Sequence, residues 1–322
     1  MALPVTVFVR SVFLVVVCTA LAACSATQPA ADRSAALSQR ADSLAQVVDR
    51  LQSRADSLDR AARLRNPNLH STLWMQTAVE YEGVARSAYQ LASVMMDRAL
   101  RDSTWTASLE QADGGPERFR DLPPAVVLDV DETVLDNSAY QARLIEDNET
   151  YDAASWNDWC RERAAVPVPG ALAFTQAAAE QGVQVIYLTN RDAEVEDATR
   201  DNLRTLGFPV DDAPDAVLTQ KEREGWDPKG PRRAWVAERY RILLLLGDNL
   251  GDFASGAEAS LAERETIADR YDRFWGTRWI VLPNPQYGSW EGALFDFNYG
   301  VPPLQKLETK HDRLQTTRSG AQ

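Results

Sequence analysis

The run Ala125-Val-Val-Leu-Asp129-Val-Asp131-Glu-Thr133-Val-Leu-Asp136 decides how the rest of the chain is read. A short β-branched apolar stretch that ends on acids predicts a buried parallel strand delivering carboxylates to the carboxyl edge of a sheet. Two further runs behave alike. Val183-Gln-Val-Ile-Tyr-Leu188 leads into Thr189-Asn190-Arg191, and Ile242-Leu-Leu-Leu-Leu246 leads into Gly247-Asp248-Asn249-Leu250-Gly251-Asp252. Trp279-Ile-Val-Leu282 supplies a fourth strand. Helical segments lie between them, so the expected fold class is α/β, a doubly wound parallel sheet with its ligand crevice where the strand ends meet.

Composition narrows the function. The 322 residues suffice for one large domain or two ordinary ones. There are 47 Asp+Glu against 34 Lys+Arg, a net charge of −13, so the surface repels phosphate backbones and polymeric nucleic acid is not an expected partner. Two histidines, His70 and His311, are too few for a multi-His metal site or a His-pair phosphatase. The cysteines at 18, 24 and 160 show neither CxxC nor zinc spacing.

Upstream of the strands the chain reads as an address and a stalk. Arg10 precedes the apolar run Ser11–Leu21, followed by small residues, in the layout of a signal peptide over 1–23. The run ends Leu21-Ala22-Ala23-Cys24, which resembles the lipobox of bacterial lipoproteins and implies a lipid anchor at Cys24; an ordinary signal peptide with a chance Cys is the plainer reading. After processing only Cys160 remains, beside Trp159, and is expected to be a small packed residue. Leu37, Ala41, Leu44, Val48, Leu51, Ala55, Leu58 and Ala62 follow a heptad seam, and Arg-Ala-Asp-Ser-Leu recurs at 40–44 and 54–58. Residues 24–65 are thus expected to be a lipidated N-terminus and helical stalk, either an amphipathic helix laid on the domain or a coiled coil pairing copies through 37–62. Arg65-Asn66-Pro67-Asn68 breaks the helix and opens a domain over 66–305. That domain begins with one long helical stretch over 70–100. A polar tail over 306–322 is expected to be frayed.

At the strand ends the chain resembles the haloacid dehalogenase superfamily. Asp129-Val-Asp-Glu-Thr133 fits its DxDxT signature, Thr189 its phosphate-binding Ser/Thr, and Asp248 with Asp252 its acidic fourth motif. Asp136-Asn137-Ser138, Trp156 with Trp159, Leu188-Thr-Asn-Arg191, Gly247-Asp-Asn-Leu-Gly-Asp-Phe253 and Asn284-Pro-Gln-Tyr-Gly-Ser-Trp-Glu291 narrow the likeness to the class C bacterial acid phosphatases, lipid-anchored 5′-nucleotidases of the lipoprotein e type. The likeness runs from about residue 70 to 305. It implies a Rossmann-like core with a small helical cap, preceded here by the helical stalk.

Phosphate-monoester hydrolysis needs an in-line nucleophile, a proton for the leaving oxygen and positive charge on the non-bridging oxygens. Asp129 suits the nucleophile, forming an aspartyl-phosphate, and Asp131 the acid that later activates water. Asp131 must start protonated, so an acidic to neutral optimum is expected. Clustered carboxylates repel phosphate, which calls for a divalent cation such as Mg²⁺. The resemblance implies ligands from the Asp129 carboxylate, the Asp131 carbonyl and the Asp248 carboxylate. Asp252 either holds a metal-bound water or backbone group, or is a first-turn acid of a helix. The resemblance also implies a lysine near the phosphate; Lys229, in Asp227-Pro-Lys-Gly-Pro-Arg-Arg233 ahead of the Asp248 strand, is the expected one, with Lys221 as the alternative.

Substrate recognition is implied by the same resemblance. Trp156, in the cap segment, and Tyr287, beyond the fourth strand, would sandwich a nucleobase. Asn137, Asn190 and Arg191 would hold ribose or phosphate, or else serve as structural hydrogen bonders. The expected protein is an exported, lipid-anchored phosphatase of the outer membrane or cell surface acting on nucleoside 5′-monophosphates, including nicotinamide mononucleotide. A broad phosphomonoesterase and a non-catalytic surface lipoprotein are the rival readings.

Overall fold

The computed structural model describes residues 30–63, 66–211 and 216–315. The signal segment and Cys24 lie outside the described residues. The chain divides into two compact units at Ala61/Ala62. Among the described residues the first holds one helix, Ala30–Arg63, which ends just past that division and whose 34 residues run about 51 Å at 1.5 Å per residue. Among the described residues no helix is long and apolar enough to cross a membrane.

The second unit is built on a five-stranded parallel sheet. Its strands are β1 (Pro124–Leu128), β4 (Gln184–Asp192), β5 (Val217–Gln220), β6 (Arg241–Gly247) and β7 (Trp279–Val281), in the order β5-β4-β1-β6-β7. Four of these were expected. β5 was not, because only Val217 and Leu218 mark it before the polar Thr219-Gln220. β1 sits centrally, with Leu128 opposite Tyr187 of β4 and Leu246 of β6. The acid-bearing ends of three strands are therefore neighbours, which is what creates the crevice.

Alternation across the pleat fills two cores. Val126 and Leu128 face one, with Leu244, Tyr89 and Met96; Ala125 and Val127 face the other, with Ile186, Leu245, Val236 and Trp279. Each buried Leu or Val contributes about 1.5–3 kcal/mol relative to exposure. The predicted helix over 70–100 is in fact two, Leu69–Thr77 and Val79–Leu100, separated at Ala78, which is extended (φ −82°, ψ 122°). The break carries neither Pro nor Gly, so no local signal announced it.

Between β1 and β4 the chain leaves the sheet. Strands β2 (Leu135–Asp136) and β3 (Val166–Pro167) pair antiparallel, and the helices Ser138–Asp147 and Ala153–Glu162 between them form a small helical cap. Asp152 caps the second helix by accepting from the Ala154 and Ser155 N–H groups. At the other end, Pro303–Asp312 is helical, not frayed, and Lys310 pairs with Glu291.

Candidate active site

Asp129 follows β1 directly, and its N–H donates to the Leu246 carbonyl at 2.9 Å, which extends the β1–β6 register to the acid itself. The chain then turns tightly. The Val134 and Leu135 N–H groups both reach back to the Val130 carbonyl at 2.9 Å, and Glu132 takes a left-handed backbone (φ 58°). A bulky residue there is strained by roughly 1–3 kcal/mol, and strain of this kind clusters at functional sites. The fully buried Glu132 side chain holds the turn by accepting from the Asn137 N–H at 2.8 Å. Burial, with the Asp131 and Asp248 charges added, raises its carboxyl well above the usual range. Glu132 was visible inside the motif, but nothing in the sequence assigned it this work.

Lys229 opens the helix Lys229–Ala237 and reaches the acid that follows β1. Its Nζ donates to Asp129 Oδ1 and, at 2.6 Å, to Asp252 Oδ1. All three side chains are buried. Burial opposes the ammonium charge, but Asp129 and Asp252 more than offset it, so the lysine is held protonated. Burial also pushes the Asp129 carboxyl up to about 7, against the pull of Lys229 and with repulsion from Asp252 and Asp131. Lys221, by contrast, is exposed and pairs with Asp192 at 3.0 Å.

Asp252 is a first-turn acid. Its Oδ2 accepts from the Asn249 N–H at 2.8 Å in a capping box, while its Oδ1 is engaged by Lys229. A Cβ on Gly247 would overlap this carboxylate, so only glycine lets the acid approach the strand end. Asp248, half-buried, is fixed by Asn284, whose Nδ2 donates to Oδ2 at 2.8 Å. Burial raises its carboxyl well above the ordinary range, helped by Asp129 and Asp252.

Oxygens of Asp129, Asp248 and Asp252 lie within 4.8 Å of one another, and the group could hold a metal ion. The donor set is all oxygen, which suits a hard divalent cation. Asp252 is held closely at both oxygens, whereas Asp129 Oδ2 meets only the Thr133 hydroxyl at 3.4 Å and Asp248 is held by Asn284 at Oδ2, so Asp129 and Asp248 are the better-placed ligands.

The remaining expected residues divide. Thr189 is buried within β4, three residues before its end, with its hydroxyl 3.4 Å from Asp131 Oδ2. Asn190 is exposed and accepts from Arg232 Nη2 at 2.6 Å. Arg191 does not face a substrate. It is 1% exposed and grips Asp131 Oδ1 through Nε at 2.9 Å and Nη2 at 2.8 Å. Asn137 is likewise buried; it donates to Asp131 Oδ1 at 3.0 Å and accepts from Trp159 Nε1 at 2.8 Å. Both take the structural alternative, as positioning residues for Asp131, because their polar atoms are spent inside the protein. Arg232 is a further positioning residue, since it joins the Lys229 helix to the Thr189 carbonyl and Asn190.

Trp156 is 9% exposed, packs edge-on against Tyr140 at 5.0 Å and has the Arg191 guanidinium over its ring at 5.6 Å. The open aromatic next to it is Tyr151, which is 62% exposed with its ring centroid 6.4 Å away. Tyr287 is half-buried and its backbone carbonyl accepts from Trp290 Nε1 at 3.2 Å.

A parallel sheet that carries a DxDxT acid pair, a buried lysine and an Asp-rich third strand end is the arrangement of the haloacid dehalogenase superfamily. Residues 36–290 match the family described as HAD superfamily, subfamily IIIB (acid phosphatase), and the chain belongs to it. The match begins inside the heptad helix. The class C acid phosphatase from Bacillus anthracis is similar in structure, with TM-score 0.69 and 33% identity, over 80% of this chain and 100% of that one. The same values hold for that protein with tungstate bound. Acid phosphatase 1 of Solanum lycopersicum is 29% identical over 170 residues, covering 50% of this chain and 57% of the tomato protein. The chain thus spans little more than half the length of that relative.

Proposed function

We propose that the chain hydrolyses phosphate monoesters, and nucleoside 5′-monophosphates among them, through an aspartyl-phosphate on Asp129. The observation that carries this reading is the lysine bridge: Lys229 holds Asp129 Oδ1 and Asp252 together at the meeting point of three strand ends. An ammonium there orients the nucleophile and offers charge to a phosphoryl group. Thr189, on the adjacent strand β4, supplies a hydroxyl to the same group. Asp131, held by Arg191 and Asn137, is placed to give a proton to the leaving oxygen and then take one from water. Mg²⁺ held by Asp129, Asp248 and the Asp131 carbonyl would supply the positive charge that lets a phosphate dianion enter among carboxylates.

The reading extends to export and lipid anchoring at Cys24 on the lipobox-like Leu21–Cys24 sequence. Phosphate release from nucleoside 5′-monophosphates and from 4-nitrophenyl phosphate, with Mg²⁺ and with chelator, tests the activity. Asp129→Asn should abolish it. Release that survives both chelation and the substitution would overturn the mechanism. Labelled palmitate that enters the chain equally in Cys24→Ser would overturn the anchor.

A second reading, a broad phosphomonoesterase, is favoured by the burial of Trp156, which leaves little of its face for a base. The ratio of kcat/KM on the two substrates separates the readings.

A further inference from the structure

The helix Ala30–Arg63 keeps its apolar seam in the open. Leu37, Leu44, Leu51 and Leu58 are 45%, 42%, 49% and 64% exposed, and Val47 and Val48 beside them are 40% and 39% exposed. The leucines recur every seventh residue, which makes them d positions and places Ala41, Val48, Ala55 and Ala62 at a. We propose that this seam pairs with the same seam of a second copy, as a parallel, in-register two-stranded coiled coil.

Three observations select that occupant. Leu at every d position with β-branched Val48 at a favours two parallel strands over higher assemblies. The small alanines at the other a positions let two helix backbones approach closely; an unlike partner would need a matching pattern, whereas a second copy brings it. The flanking charges are also self-complementary. Arg54 occupies g and Asp59 the following e, so a parallel dimer places each Arg54 opposite the partner copy's acid, twice by symmetry. No e or g position sets like charges across the seam, since the other flanking residues are Ser38, Arg40, Ala45, Val47, Gln52 and Ala61. The 14-residue repeat of Arg-Ala-Asp-Ser-Leu gives both halves of the seam the same register. Such pairs fix orientation more than they add stability.

Cysteine cross-linking in the full-length, detergent-solubilised chain tests the arrangement. Leu37→Cys and Leu58→Cys are made separately, with Ser53→Cys on the outer face of the same helix and the parent chain as controls. A parallel in-register pair brings identical d positions within disulfide range at both ends of the seam. Both d variants should then oxidise to covalent dimers at least tenfold faster than Ser53→Cys. An antiparallel pair would cross-link neither terminal variant, and a monomer would cross-link all three at one slow rate. Either result overturns the proposal. Light scattering should also read two chains for the parent and one for Leu44→Asp/Leu51→Asp. A parent that stays monomeric at tens of micromolar while the far-UV signal reports an intact helix would equally overturn it.

Discussion

Arg191 and Asp131 form a two-bond grip in which Nε and Nη2 both reach the same carboxylate oxygen, at 2.9 and 2.8 Å. That leaves Oδ2, 3.4 Å from the Thr189 hydroxyl, as the oxygen outside the grip. If Asp131 is the acid we propose, the grip selects Oδ2 to handle the proton.

Arg191→Lys replaces a planar fork with a single point charge and should loosen that choice. Turnover of a nucleoside monophosphate, whose alkoxide needs a proton to leave, should fall on the order of a hundredfold. Turnover of 4-nitrophenyl phosphate, whose leaving group is stable as an anion, should fall much less. Equal losses on both substrates would place Arg191 at the phosphate rather than at the acid. Arg191→Met should also unfold at lower temperature, because breaking a buried pair costs on the order of 3 kcal/mol.

Lys229→Met removes the bridge between two buried carboxylates. Activity should fall by at least about a thousandfold. Lys221→Met, at an exposed pair, should leave stability within about 0.5 kcal/mol and activity within about twofold of the parent, as expected for a surface substitution. A comparison of the two by steady-state kinetics and thermal melting checks the assignment. A Lys221→Met enzyme as impaired as Lys229→Met would reverse it.

The metal-free chain should respond to pH through Asp129 and Asp248. Both carboxyls are raised in the folded state, Asp129 to about 7, by burial first and by their crowding second. A raised group contributes stability that is present below the ordinary carboxylate range and lost as pH climbs through the folded value. In chelator, Asp129 should thus cost stability between about pH 4 and 7, and Asp248 should add to the loss in the same direction. Mg²⁺ should raise Tm more at pH 8 than at pH 5. At a hundredfold excess over Kd the gain is about 2.7 kcal/mol, roughly 5–10 °C for a domain of this size. An equal shift in Asp248→Asn would remove Asp248 from the ligand set.

The two neighbouring cap aromatics should separate packing from recognition. Trp156→Ala should cost about 3–5 kcal/mol, as for a large buried aromatic. Tyr151→Ala, at an exposed site, should change stability by less than about 0.5 kcal/mol. If bases stack on Tyr151, its loss should raise KM for nucleotides by roughly tenfold and leave 4-nitrophenyl phosphate unaffected. Unchanged nucleotide KM in Tyr151→Ala would return the stacking role to Trp156 and Tyr287.

Burial pushes the Cys160 thiol up to about 12, despite the nearby Arg191 charge. The thiol is therefore neutral across the working range. At pH 8 the native chain should leave Cys160 unalkylated by iodoacetamide for hours, and denaturant should expose it at once, as read by peptide mass spectrometry. Fast native labelling would mean that the cap opens.

The acid-bearing strands β1, β4 and β6 were legible because an unbroken apolar run ending on Asp or Thr-Asn-Arg has few other uses in a soluble protein. The short β5 gave too few residues for a pattern. What sequence could not tell was the direction of a side chain at a strand end. Asn137 and Arg191 sit beside the motifs exactly as ligand-binding residues would, but they turn inward. Their partners Asp131, Thr199 and Trp159 lie on separate segments, and only the folded sheet and cap bring these together. The placement of Lys229 beside the acids was legible for the opposite reason, since its helix leads straight into the Asp248 strand.

Asp129 and Lys229 stand 100 residues apart in the chain. The Asp129 carboxylate and its countercharge therefore meet only after β4, β5 and the intervening helices have found their places. Contacts of such long separation form late and slowly. During refolding, helical signal should return well before hydrolysis does, and a nascent chain that has emerged only through β1 carries the Asp129 carboxylate with no ammonium to pair it.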